Sequence, residues 1–232
     1  MRIATPLLYQ TVVIRSATQA QSLEDTLTRN PNFGPYIKKL RIEGAYGVEF
    51  DQVVRVAGPH IKDFCFTLAL WTMSKPSGLA KLLSGINPTR VILTMAPSEV
   101  LYNKQLSKVV KQLCLSIPLW TNLYAFYFAS TKTFRRPSWV SDAELYPEIV
   151  EALASSASLR CVHLLLTCGR GPLDTLTNTQ SIELVHMYPH SRLFQYQDPP
   201  PRPLPACYRP TPRFLERITT EVPYTSTYRV PL

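Results

Sequence analysis

The closest approach to a metal site in this sequence is a group of four residues, Cys161, Cys168, His186 and His190. His186 and His190 have the H-x-x-x-H spacing that sets two imidazoles on one face of a zinc-binding helix. Three features count against that reading: Cys161 lies inside a strand-like run, six residues separate the two cysteines, and His190 follows Pro189. A second chemistry is a cysteine–histidine nucleophile. Cys161 and His163 are two apart and point the same way on one strand, but no third group orients the base. G-x-S-x-G, H-E-x-x-H and P-loop patterns are absent from the sequence. Gly169-Arg170-Gly171 is a G-x-G fragment followed by Pro172, and it reads as a loop turn. The expectation is therefore a protein without catalytic residues, bound metal or cofactor.

These residues sit on short strand-like runs that alternate with amphipathic helical runs. The strand cores are Thr11–Arg15, Lys38–Glu43, Lys62–Ala69, Arg90–Thr94, Leu123–Phe128, Arg160–Leu166 and Arg192–Gln197, each rich in β-branched, aromatic or aliphatic residues. The helical stretches are Ala17–Arg29, Asp51–Ala57, Leu79–Leu83, Leu101–Ile117, Glu144–Ser155 and Thr175–Met187, with apolar residues three and four apart. Such alternation predicts a parallel α/β arrangement with helical crossovers.

A solenoid would also repeat at a fixed period. Seven segments share the frame apolar-x-x-apolar-x-apolar, with Pro or Ser once each in the first slot. They are Tyr9/Val12/Ile14, Ile37/Leu40/Ile42, Ile61/Phe64/Phe66, Pro88/Val91/Leu93, Leu123/Phe126/Phe128, Leu159/Val162/Leu164 and Ser191/Phe194/Tyr196. Their middle positions are 28, 24, 27, 35, 36 and 32 residues apart. The first three spacings fall in the window of leucine-rich repeats, roughly 20–29 residues. The expected fold is a leucine-rich-repeat-like solenoid of about seven irregular repeats, with parallel strands on the concave face and helices outside. An ordinary doubly wound domain is the competing architecture.

Composition narrows the function classes. Hydrophobic residues make up 45% of the 232-residue chain and charged residues 18%, which fits a folded domain. The net charge is +9, but the basic residues are dispersed rather than gathered into a tail, so nucleic acid is not the expected partner. Lys104, Lys108 and Lys111 read as a solvated helix face. Five cysteines without a C-x-x-C pair read as reduced thiols of an intracellular protein, cytoplasmic or nuclear. The longest dense apolar stretch, Phe64 to Trp71, is too short for a transmembrane helix, which needs about 20 residues. Residues 1–197 are expected to form the solenoid. Residues 198–232 begin with Asp198-Pro199-Pro200-Pro201 and read as a proline-rich tail, where a paired strand is not expected.

Three segments also resemble a known family. Arg2-Ile3-Ala4-Thr5-Pro6-Leu7-Leu8-Tyr9-Gln10-Thr11-Val12-Val13-Ile14 resembles the stretch that follows the F-box in mushroom-type fungal F-box/leucine-rich-repeat proteins. Asn30-Pro31 through Tyr36-Ile37-Lys38-Lys39-Leu40-Arg41-Ile42-Glu43-Gly44 is similar to one of their repeats, and Leu119-Trp120-Thr121-Asn122-Leu123 to a later repeat opening. The resemblance covers about residues 1–197 and implies the substrate-binding part of a ubiquitin-ligase adaptor. In that family the F-box recruits Skp1. That module would precede residue 1, so Skp1 binding is not expected of these residues. The function implied is protein–protein recognition. The alternatives are a small α/β enzyme, hydrolase-like, or a basic nucleic-acid-binding protein.

If the frame residues point into the core, those between them form the concave face. The candidate partner-binding residues are Arg15, Lys39, Arg41, Glu43, Asp63, Arg90, Tyr127, His163 and Gln195. The expected partner is a protein that sets an acidic group against Arg15, Lys39, Arg41 and Arg90, with a flatter apolar patch near Tyr127.

Overall fold

A computed structural model of the chain describes residues 4–43, 50–68, 76–95, 104–130, 147–165, 170–188 and 218–219. The chain opens with helix α1 (Ala4–Tyr9) and strand β1 (Thr11–Ile14). Helix α2 (Ala17–Arg29) follows, and Ser16 caps it by accepting a hydrogen bond from the Gln19 N–H at 3.3 Å. A tight 3₁₀ segment, Pro31–Tyr36, carries the chain into β2 (Lys39–Ile42). A short, widely wound helical segment, Val53–Ala57, then leads to β3 (Asp63–Thr67). The remaining elements are α3 (Ser77–Gly85), β4 (Arg90–Met95), α4 (Lys104–Ser116), β5 (Ala125–Ser130), α5 (Pro147–Ala154), β6 (Cys161–Leu165), α6 (Arg170–Thr177), β7 (Leu184–Tyr188) and the two-residue β8 (Ile218–Thr219).

All the strands among the described residues are parallel and belong to a single open sheet in which each pairs with the strand before it in the chain. The register places Val12, Leu40, Phe64, Val91, Phe126 and Val162 side by side, the row expected from the shared frame. A backbone ladder at the strand entries repeats that order. The Lys38 N–H donates to the Gln10 carbonyl, and the N–H groups of Lys62, Thr89, Tyr124, Arg160 and Glu183 each donate to the carbonyl at the equivalent place one strand earlier, at 2.8–3.1 Å.

The seventh strand departs from the expectation. Thr175–Met187 is not one helix: α6 ends at Thr177, and the chain re-enters the sheet as β7, with Val185 beside Val162. Ile182, Val185 and Met187 themselves fit the frame, 23 residues after Val162. Ile182 and Val185 are 1% exposed. The helical reading failed because the spacing of Ile182, Val185 and His186 suits either period. Arg192–Gln197 lies outside the described residues. A second correction concerns the tail. Ile218 and Thr219 pair with Val185 and His186, so a paired strand does form beyond residue 197. The prolines are clustered elsewhere, so both residues keep their N–H groups for pairing. Helix α6 also starts at Arg170, where a loop turn was expected, and Pro172 is tolerated because a first-turn N–H has no partner within its own helix.

Inward residues of the strands and apolar stripes of the helices form one core. Leu23 and Leu27 of α2, Leu79, Leu82 and Leu83 of α3, Val109 and Leu113 of α4, and Ile149 and Leu153 of α5 all join it. Side chains also tie one unit to the next. The buried Glu24 carboxylate accepts the N–H groups of Gln52 and Val53 at 2.9 and 3.1 Å, capping the next helical segment from outside. The Asn87 side chain donates to Thr121 Oγ1 at 2.9 Å and accepts from the Asn122 N–H at 3.0 Å. Trp120 donates from its indole to the Leu83 carbonyl at 3.2 Å. Among the described residues no helix is long and apolar enough to cross a membrane.

Candidate functional site

Residues between the frame positions line the other face of the sheet. Strand alternation puts them there, and pairing sets them in rows across the strands. The first row runs Thr11, Lys39, Asp63, Arg90, Ala125, Cys161 and Leu184. The second runs Val13, Arg41, Cys65, Ile92, Tyr127, His163, His186 and Thr219.

At the β1–β4 end this face is charged, and its charges are already paired. Asp63 sits between two cations. Arg90 grips it with two hydrogen bonds of 2.8 and 2.9 Å, and Lys39 Nζ stands at 4.0 Å. This fork-to-fork contact holds the Arg90 guanidinium's pKa above its ordinary value; burial works against that rise, and the Asp63 charge and Tyr127 add to it. Glu43 receives Arg15 Nε at 2.7 Å and also pairs with Arg41. Burial alone would push the Glu43 carboxyl up. The hydrogen bonds and charges of Arg15 and Arg41 together outweigh it, so the carboxyl sits below its ordinary value.

Arg15, Lys39, Arg41, Glu43, Asp63 and Arg90 are thus brought together as expected, but as two internal ion-pair groups rather than a bare cationic patch. Four cations against two carboxylates leave a net +2. The Arg41 Nε–H is buried and has no acceptor among the described residues. It lines a cavity of about 210 Å³ with Glu43, Cys65, Thr67 and Thr94.

At the β5–β7 end the face becomes aromatic. Tyr127, His163 and His186 stack ring on ring across three adjacent strands, with centroids 3.9 and 4.4 Å apart and planes within 12° of parallel. Cys161 Sγ lies 3.1 Å from His163 Nε2. Cys161, His163 and His186 are all buried. Burial, helped by the neighbouring His186, drives the His163 imidazole down to about 3, and burial drives the Cys161 thiol up to about 11. Near neutral pH the pair is a thiol beside an uncharged imidazole. A thiolate–imidazolium nucleophile needs the opposite shifts.

Tyr127 and His163 therefore lie where the frame put them, while Gln195 lies outside the described residues. Sequence reasoning missed His186 as a face residue because it was assigned to a helix. The frame match at Ile182/Val185/Met187 is the signal that places it. Cys168 and His190, considered with Cys161 and His186 as ligands, lie outside the described residues. His163 is the residue the fold sets between Cys161 and His186.

Comparison of the chain with protein-family models, curated proteins and solved structures finds no match in any of the three.

Proposed function

We propose that this chain is a protein-recognition scaffold, a leucine-rich-repeat-like solenoid that resembles the substrate-binding part of F-box adaptors and reads a partner with the concave face of its sheet. The observation that carries the reading is the unit-by-unit register from β1 to β7, with the same entry hydrogen bond at every step. Stacked repeats that each touch only their neighbours form a continuous surface, and such surfaces suit extended partners.

The chemistry of the face favours an acidic partner segment. A residual +2 remains after internal pairing, and the unfilled Arg41 Nε–H beside its cavity calls for an acceptor. The stacked Tyr127 supplies an adjacent flat surface for an apolar side chain. The neutral Cys161–His163 pair argues against a cysteine hydrolase, and dispersed, internally neutralised cations argue against nucleic acid as the principal ligand.

Peptide display against the full chain tests the proposal. Enriched ligands should carry Asp or Glu next to an apolar residue. Neutralising Lys39 and Arg41 together as Gln should release them. Neutralising Lys108 and Lys111 on the exposed side of α4 should not. Ligands that bind the first variant unchanged but leave the second would place the binding surface on the helices. Salt-sensitive binding of random DNA in preference to peptides would favour the nucleic-acid reading.

A further inference from the structure

Cys161, His163 and His186 form a cluster that protein recognition does not use. Their donor atoms lie within 4.8 Å of one another, and all three residues are buried. The fold holds them by two independent constraints. Cys161 and His163 are two apart on β6 and so share a face, while His186 is the direct neighbour of His163 on β7. Tetrahedral zinc, with bonds of about 2.0–2.3 Å, keeps its donors about 3.3–3.6 Å apart. The 3.1 Å contact between Cys161 Sγ and His163 Nε2 is already near that spacing.

We propose that Cys161, His163 and His186 are a three-residue binding site for a borderline-soft divalent cation of the zinc class. One thiolate and two imidazoles are the donors that zinc and cobalt prefer, whereas magnesium and calcium take oxygen. Two parallel rings cannot both aim a lone pair at one ion, so capture turns one imidazole out of the stack. The ion displaces the thiol proton, giving a sulfur–metal bond and one released proton per site. Three protein ligands leave the fourth position to water or to a group on a bound partner.

The test is titration of the reduced full-length chain with cobalt(II), followed by zinc(II). A thiolate-to-cobalt charge-transfer band should saturate at one ion per chain, and zinc should erase it while magnesium does not. Cys161→Ser should lose the band, and His186→Gln should lose or shift it. Cys168→Ser with Cys207→Ser should keep it. Zinc should also raise the melting temperature of the wild type and leave that of His186→Gln unmoved, so the question stays open to test even if Cys161→Ser does not fold. No saturable band in the wild type overturns the proposal. So does a band that survives Cys161→Ser, or one that vanishes with Cys168 and Cys207.

Discussion

At the scale of single residues, pairing and burial decide which groups respond to solvent. Glu43 has a folded-state pKa below its unfolded value, so its contribution is present above the unfolded pKa and fades as pH falls through the folded one. Glu43→Gln should therefore lower stability at pH 7 by up to about 1 kcal/mol, the range of partly exposed pairs. Urea unfolding across the carboxylate range should show that gap closing as the solution is acidified. A gap that widened toward acid would mean that Arg15 and Arg41 do not hold this carboxylate. The thiols make a second test. An ordinary cysteine is about a quarter thiolate at pH 8, whereas one at about 11 is roughly one part in a thousand. Iodoacetamide should thus label Cys114 and Cys161 far more slowly in the folded chain than in urea. Fast labelling of Cys161 in the native state would contradict its buried, neutral pairing with His163.

At the scale of elements, the alternation of side chains explains what could be read from sequence. Leu40, Phe64, Val91, Phe126 and Val162 align because the same frame recurs and a one-residue slip would turn each inward set to solvent. The β7 segment was misread because Ile182, Val185 and His186 are spaced for a helix, while Leu184, His186 and Tyr188 alternate as in a strand. Val185→Asp should therefore cost more than about 3 kcal/mol, since it buries an unpaired carboxylate. A chemical-denaturation midpoint unchanged by that substitution would remove β7 from the core. The ion pairs were partly legible, since Lys39, Asp63 and Arg90 share one row once the register is known. Glu24 was not: its target is the backbone of residues 52 and 53, and nothing in a side-chain pattern marks backbone N–H groups as open. Glycine placement was equally opaque. A methyl group on Gly34 would collide with the Val56 carbonyl, so Gly34→Ala should destabilise by about 1–3 kcal/mol in the same assay.

At the scale of the molecule, the strand order has a consequence for unfolding. Among the described residues each strand bonds only to its predecessor and successor, and no pairing closes the two ends of the sheet on each other. In a chain of nearest-neighbour units, stability is close to a sum of local terms, and damage spreads from where it is made. Leu164 is fully buried in β6, near the C-terminal end of the strand order. Leu164→Ala removes buried methyl groups and should cost about 2–5 kcal/mol. In a doubly wound domain folding as one cooperative block, that loss would lower protection of every strand equally. In the proposed solenoid the loss should concentrate at the site of the change. Native-state hydrogen exchange should show large acceleration at β6 and β7, less at β5, and near-normal protection at β2 and β3. The mirror experiment, Ile42→Ala in β2, should reverse that gradient. Equal acceleration of all strands in both variants would argue for one cooperative block and against the solenoid on which the recognition proposal depends.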